Sequence, residues 1–262
     1  MKDYKNILVK KENRIATITL NRPEKMNALT IEMTLEITGA LEESGQDSET
    51  RVIVLTGAGR AFCVGADLNS PDFKINSAAD AVETLKSATQ IIMGLRNIAK
   101  PVIAAVNGAA VGGGCNLAIA CDIIIASEKA KFSEVFVQRG LHPDWGGTYH
   151  LPRLVGAAKA RELMLTGRLV DALEADRIGL VTRVVPADQL ERAAQETAAA
   201  LAKLSPLAIG MIKSSLNRTF EADLPTMLEL EAKAQSLLFL TEDFREGMAA
   251  FFEKREADYK GR

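Results

Sequence analysis

The chain has 262 residues, 47% hydrophobic and 25% charged, the balance of an ordinary globular protein long enough to bury a sizeable core. Its 32 basic and 34 acidic side chains are interspersed and give a net charge of −2, which favours neither nucleic acid nor an anionic membrane surface as a partner. The charged start has no signal-peptide pattern, and no segment approaches the roughly 20 apolar residues of a membrane span. The three cysteines lack disulfide-like spacing, which suits a reducing compartment. A cytoplasmic protein is therefore expected.

The first half of the chain alternates strand and helix patterns. Residues 15–20 alternate apolar side chains with Thr or Ala, which predicts a strand, and Thr30 is a suitable N-cap for an amphipathic helix. Further apolar runs predict buried strands, and longer stretches with helical spacing predict helices. The strands are expected at 52–56, 101–106 and 123–126, and the helices at 79–98 and 116–121. This alternation indicates α/β layers.

After about Gly146 the strand signals nearly vanish. Four segments with few Pro or Gly residues predict helices, at 187–203, 206–220, 224–240 and 242–254. We therefore divide the chain into an α/β core, residues 1–204, and a helical C-terminal region, residues 205–262. No flexible linker separates them, so the C-terminal region is expected to pack on its own core or on a neighbouring subunit.

Two glycine-rich segments follow predicted strands and are candidates for ligand binding. Residues 57–68 contain small side chains that let a ligand approach the backbone, although an ordinary strand-to-helix turn is the favoured explanation for this segment taken alone. Residues 108–116 open a predicted helix, whose free N–H groups can hold an anion or a developing oxyanion. Close helix–strand packing is the competing explanation. Neither segment has the dinucleotide or P-loop spacing.

Taken in order along the whole chain, these and other segments strongly resemble the crotonase (enoyl-CoA hydratase/isomerase) superfamily. Residues 21–29 (NRPEKMNAL) resemble its first coenzyme A segment. Residues 61–68 (AFCVGADL) and 100–114 (KPVIAAVNGAAVGGG) resemble its two oxyanion-hole segments. The weaker matches are LMLTG at 163–167, GLV at 179–181, REGMAAF at 245–251 and EKR at 253–255. Each motif alone is weak, but the ordered set is specific.

The resemblance implies an α/β fold of the crotonase (ClpP/crotonase-like) type, a spiral of strand–strand–helix units. The helical C-terminal region would build a trimer, often doubled to a hexamer. The substrate would be an acyl-CoA thioester, with coenzyme A entering as part of it, and neither a separate cofactor nor a metal is expected. No nucleic acid or membrane partner is expected.

The resemblance also implies roles for individual residues. The oxyanion N–H groups fall on Ala66 and Gly113. The substrate-binding positions are Lys25, Met26, Ala28, Gly65, Asp67, Leu68, Gly112, Asn116, Phe136, Phe251 and Lys254. Phe251 and Lys254 match positions that reach the coenzyme across a subunit boundary, although a packed aromatic and a solvated lysine are the plainer interpretations.

The sequence departs from the family's hydratases at the two acid–base positions. Those hydratases carry two glutamates, where this chain has Asn116 and Phe136, and neither side chain exchanges protons near neutral pH. Asp144 instead matches the catalytic aspartate of several family isomerases. The alternative role for Asp144 is the N-cap of the next helix. We therefore expect an enoyl-CoA double-bond isomerase with Asp144 as proton shuttle.

Two alternative functions remain open. In a hydratase or hydrolase, Asp144 would activate water together with Asn116 or Glu134. The non-enzymatic alternative is an acyl-CoA-binding protein that has lost catalysis.

Five other side chains near these motifs need to be weighed. His142 either shares the proton transfer or is a loop residue. Glu134 would share a face with Phe136 if residues 134–136 are extended. Phe136 and Trp145 suggest an apolar acyl pocket or belong to the core. Cys63, beside the first oxyanion segment, is a reactive thiol or a small buried residue.

Overall fold

The computed structural model describes residues 4–71, 73 and 75–262. Most of the charged start of the chain, residues 1–3, lies outside this range. No helix in the described part of the chain is long and apolar enough to cross a lipid bilayer.

Ten strands occur in the described part of the chain. They are β1 (Ile7–Glu12), β2 (Ile15–Leu20), β3 (Val52–Gly57), β4 (Ala61–Cys63), β5 (Val102–Val106), β6 (Ala109–Val111), β7 (Ile123–Ser127), β8 (Lys131–Ser133), β9 (Val170–Asp171) and β10 (Arg183–Val185). The strand predictions at 15–20, 52–56, 101–106 and 123–126 are confirmed, to within one residue at each end. β1 and the short strands β4, β6 and β8–β10 were not predicted.

The strands form two sheets. The larger has the order β1-β2-β3-β5-β7-β10, and all neighbours are parallel except the hairpin β1–β2. The smaller has the order β4-β6-β8-β9, with β4, β6 and β8 parallel. Three strands of the smaller sheet have three residues each, too short for any periodicity to be recognised in the sequence.

The described helices are α1 (Ile31–Gln46), α2 (Ala78–Asn97), α3 (Gly113–Ile119), α4 (Gly147–Thr166), α5 (Ala172–Arg177), α6 (Leu190–Ala202), α7 (Pro206–Leu216), α8 (Leu224–Leu238) and α9 (Glu242–Glu253). Thr30 caps α1 as predicted, because its hydroxyl accepts a hydrogen bond from the Met33 N–H at 3.2 Å. The C-terminal helix predictions are confirmed, although the helices end up to four residues early. α4 and α5 were not predicted.

Both faces of the inner strands of the larger sheet are buried, which explains the continuous apolar runs of β3, β5 and β7. On β3, Val52 and Val54 pack toward α6, whereas Ile53 and Leu55 face the larger core beneath α1 and α2. β6 and β8 add Ala110 and Phe132 to that larger core. The smaller sheet is therefore held against the larger one, and this contact positions the glycine-rich segments that follow β4 and β6.

Candidate active site

The centre of the candidate site lies where two neighbouring parallel strands end. β4 pairs with β6, so the segments that follow them lie side by side. These segments carry Ala66 and Gly113, whose backbone N–H groups have no hydrogen-bond partner among the described residues. Gly113 is the first residue of α3, where helical N–H groups lack intrahelical partners. Two such amides can hold an oxygen on which negative charge develops.

Glycine is required for the close contact between the two segments. Gly65 has a φ of +85°, and a Cβ there would lie 3.0 Å from the Val111 carbonyl oxygen and 3.3 Å from the Gly113 nitrogen. A Cβ on Gly114 would lie 2.1 Å from the carbonyl oxygen of Cys63. The tight approach of α3 to β4 therefore depends on the absence of side chains, as the glycine-rich pattern suggested. Cys63 itself is buried, and burial raises the pKa of its thiol to about 12, which argues against a reactive thiol.

The segment 21–29 is fastened to the first oxyanion segment. Leu29 donates its N–H to the Gly65 carbonyl at 2.8 Å and accepts the Asp67 N–H at 2.8 Å. The Arg22 guanidinium pairs with the Asp67 carboxylate at 2.9 Å, and both side chains are largely buried. Asp67 lines the pocket, and its carboxylate is paired with Arg22. Asp67 therefore has a structural role in addition to the predicted contact with substrate.

A largely apolar pocket extends from this centre, and most of the predicted substrate positions line it. They are Lys25, Met26, Ala28, Gly65, Asp67, Leu68, Gly112 and Phe136, together with Ala66, Gly113 and Asp144. Phe251 and Lys254 do not line the pocket of their own chain. Phe251 is 75% exposed on α9, and Lys254 ends that helix in a left-handed conformation. Their proposed contact with a neighbouring subunit's coenzyme stays a prediction.

Asp144 lies on the pocket wall and has the properties of an acid–base group. Burial raises the pKa of its carboxyl to about 6, although the nearby His142 acts to lower this pKa. Its Oδ1 atom is buried without a partner among the described residues. The N-cap explanation fails, because α4 is capped by Gly146 without a side-chain bond and the Gly147 N–H binds the backbone oxygen of Asp144 instead. His142 is exposed on the same rim, with Nδ1 2.6 Å from the Pro143 carbonyl oxygen.

Asn116 and Glu134 lie behind the pocket wall. Asn116 was predicted to contact the substrate, but its side chain is fully buried and is not among the groups that line the pocket. Glu134 is 2% exposed and is also not among the groups that line the pocket. It does not share a face with Phe136, because the chain turns into a 3₁₀ helix at Val135–Arg139 instead of remaining extended.

Sequence reasoning missed one wall of the pocket. Thr84, Leu85 and Ala88 of α2 line it, whereas the sequence predicted only that residues 79–98 form a helix. Arg139 was also missed. Trp145 was predicted as a pocket residue, and its indole lies over Gly113: a Cβ there would be 3.2 Å from the indole nitrogen. No cluster of metal-binding side chains occurs in the described residues.

Comparison with known proteins agrees with this geometry. The family model described as enoyl-CoA hydratase/isomerase matches residues 10–262. A probable enoyl-CoA hydratase of Mycobacterium bovis is 43% identical over 259 residues, covering 99% of both chains. The crotonyl-CoA hydratase of Syntrophomonas wolfei is 40% identical over 258 residues, covering 98% of both. The crystal structure of an enoyl-CoA hydratase from Bacillus anthracis superposes with a TM-score of 0.94 at 37% identity, covering 98% of this chain and 100% of that one. The predicted crotonase fold is confirmed, and the chain belongs to the enoyl-CoA hydratase/isomerase family of acyl-CoA-processing enzymes.

Proposed function

We propose that this chain adds water to the double bond of an enoyl-CoA thioester, with Asp144 as its acid–base group. The observation that carries the proposal is one pocket that holds both the Ala66 and Gly113 N–H groups and the Asp144 carboxyl. Among the described residues, neither N–H group nor the Oδ1 atom of Asp144 has a hydrogen-bond partner. Two relatives are named crotonyl-CoA hydratase and short-chain-enoyl-CoA hydratase, which favours hydration over the isomerisation expected from the sequence.

One carboxylate suffices for this reaction if it is used twice. Asp144 accepts a proton from water as the water oxygen bonds to C3 of the enoyl group. The electron pair of the double bond then moves toward the thioester, whose oxygen becomes negative between the N–H groups of Ala66 and Gly113. Asp144 returns its proton to C2, and the sum of the steps is one water added across the double bond.

Double-bond isomerisation is the second candidate, and a specific observation favours it. The described carboxylates that line the pocket are Glu24, Asp67 and Asp144. Asp67 is paired with Arg22, and Glu24 lies in the segment 21–29 that resembles the family's first coenzyme A segment. Asp144 is therefore the carboxylate left near the oxyanion amides. Phe136 occupies the position of the second glutamate of family hydratases. One base that removes a proton and returns it to another carbon is enough for isomerisation.

The two reactions differ in whether solvent oxygen enters the product. We expect the protein to convert 2-enoyl-CoA, such as crotonyl-CoA, in ¹⁸O-labelled water to a product heavier by one labelled water. Mass spectrometry of the thioester measures this directly. A 3-enoyl-CoA that is converted without a change in mass would support isomerisation instead. Tight binding of both thioesters without any product would overturn the catalytic proposal and support the acyl-CoA-binding alternative.

The C-terminal helices are expected to build the trimer or hexamer. α8 has no buried residue within its own chain, and large apolar side chains are exposed along α7–α9. They include Leu216, Leu224, Leu228, Leu240, Phe251 and Phe252, which are 54–75% exposed. Such a surface suits burial against further copies of this chain.

We expect sedimentation at micromolar concentration to give a trimer or hexamer, and Leu228→Glu to shift the protein toward smaller species. Leu8→Glu is the matched control, because Leu8 is 54% exposed on β1, outside this surface. A monomeric parent protein would contradict the prediction.

A further inference from the structure

Three polar side chains form a cluster that extends from the pocket wall into the interior. Asn116 stands at its centre and donates from Nδ2 to the Asp144 backbone oxygen at 2.8 Å and to Glu134 Oε2 at 3.4 Å. Asn116 is 0% exposed and Glu134 2% exposed. A Cβ on Gly147 would lie 2.5 Å from Asn116 Nδ2, so the start of α4 also packs against this amide. Asn116 thus connects Glu134 to the segment that carries the proposed acid–base group.

The cluster is incompletely hydrogen-bonded. Within the described part of the chain, Glu134 Oε1, Asn116 Oδ1 and Asp144 Oδ1 are all buried without a partner. A buried polar atom that lacks a partner usually costs about 1 to 3 kcal/mol. An apolar residue at position 134 would avoid that cost. Unsatisfied groups of this kind are expected where function, and not stability alone, requires the residue.

The charge of Glu134 depends on pH near neutrality. Two titratable groups lie next to Glu134. One is the Cys115 thiol on α3, which donates a hydrogen bond to Glu134, and the other is the Asp144 carboxyl. His142 lies near Asp144. No Lys or Arg among the described residues forms an ion pair with Glu134. Burial, and to a lesser degree the charge of Asp144, raises the pKa of Glu134 to about 7.

We propose that Glu134 is a positioning residue that acts through Asn116, holding the Asp144 segment in its active arrangement while protonated and weakening the site when ionised. The reason is electrostatic. An ionised Glu134 would attract the Asn116 amide more strongly and draw it from the Asp144 backbone oxygen. Its negative charge would also oppose both the ionised form of Asp144 and the negative thioester oxygen of the proposed reaction. This inference rests on the proposed function, because it assumes that Asp144 transfers protons.

The test is the pH profile of kcat/KM for the parent protein and for Glu134→Gln, which keeps the shape but stays neutral. We expect the parent to lose about tenfold in kcat/KM between about pH 7 and pH 9, because the ionised Glu134 would weaken the hydrogen bond from Asn116 to the Asp144 backbone oxygen. Tenfold corresponds to about 1.4 kcal/mol, within the usual worth of one hydrogen bond. Glu134→Gln should remain active over that range and keep the rise near pH 6 that belongs to Asp144. The matched control is Glu42→Gln, an exposed change on α1 that should retain the parent profile. Identical profiles for the parent and Glu134→Gln would overturn the proposal.

The coupling between Glu134 and Asp144 can be measured in two further ways, the first of which does not require turnover. The ¹³C carboxyl resonance of Asp144 should titrate in two steps in the parent and in one step in Glu134→Gln. Identical titrations would show that the two groups are not coupled and would overturn the inference, whatever reaction the protein performs. Asn116→Ala removes the bridge, so adding Glu134→Gln to it should change kcat no further. If Glu134→Gln changes the rate above pH 7 as much in the Asn116→Ala protein as in the parent, Glu134 does not act through Asn116. A parent protein without turnover on any enoyl-CoA would contradict the proposed function alone.

Discussion

Asp144→Asn is expected to lower kcat by about 100- to 10,000-fold, the range for loss of a positioned acid–base group. The side chain lines the pocket, its Oδ1 has no partner among the described residues, and it makes no helix cap. Asparagine keeps its size but cannot carry the proton. The variant should therefore fold and bind enoyl-CoA thioesters, measured by calorimetry, and lose most of its turnover.

The pH dependence gives a second check on Asp144. Burial raises the pKa of its carboxyl to about 6, and a base must be ionised, so parent activity should rise with pH through that value. The residual activity of Asp144→Asn should lack this rise. Asp176→Asn, an exposed change on α5, is the matched control and should keep the parent rate and profile. If Asp144→Asn turns over at the parent rate, Asp144 is only structural, and Glu134 and His142 become the next residues to replace.

Gly65→Ala is expected to lower kcat by about 100- to 1,000-fold, the usual effect of losing one oxyanion donor. Alanine is strained at a φ of +85°, and its methyl group would meet the Val111 carbonyl oxygen at 3.0 Å and the Gly113 nitrogen at 3.3 Å. The two segments must then move apart, and the Ala66 and Gly113 N–H groups can no longer bind the same oxygen. Steady-state kinetics measures the loss, and circular dichroism checks the fold.

Gly94→Ala on α2 is the control for this substitution. A Cβ at Gly94 meets nothing within 4 Å, and the position is helical, so alanine should preserve activity and slightly stabilise the helix. Equal activity of the parent and Gly65→Ala would contradict the proposed role of the paired amides. Equal losses in both glycine variants would mean that the effect does not come from the oxyanion segments.

Much of the larger sheet follows from the sequence because its strands are buried on both faces. Val52–Leu55 is a short, continuous apolar run with three β-branched residues, which favours a strand buried on both faces. The cap at Thr30 is equally local, since it needs only a hydroxyl and the N–H three residues on. The glycine-rich segments and Asp144 were also recognised from the sequence, because they occur in an ordered set of motifs that few chains share.

The direction in which individual side chains point was decided only by the tertiary structure. Glu134 and Phe136 are two positions apart, a spacing that places both on one face of a strand but not of a 3₁₀ helix, and the chain turns at Val135. Phe136 consequently lines the pocket, while Glu134 is buried against Asn116. Asp67 meets Arg22 across 45 residues, a contact that no local pattern encodes. Local periodicity specifies which residues are helical, extended or apolar, whereas the partner of each side chain depends on segments that only the folded chain brings together.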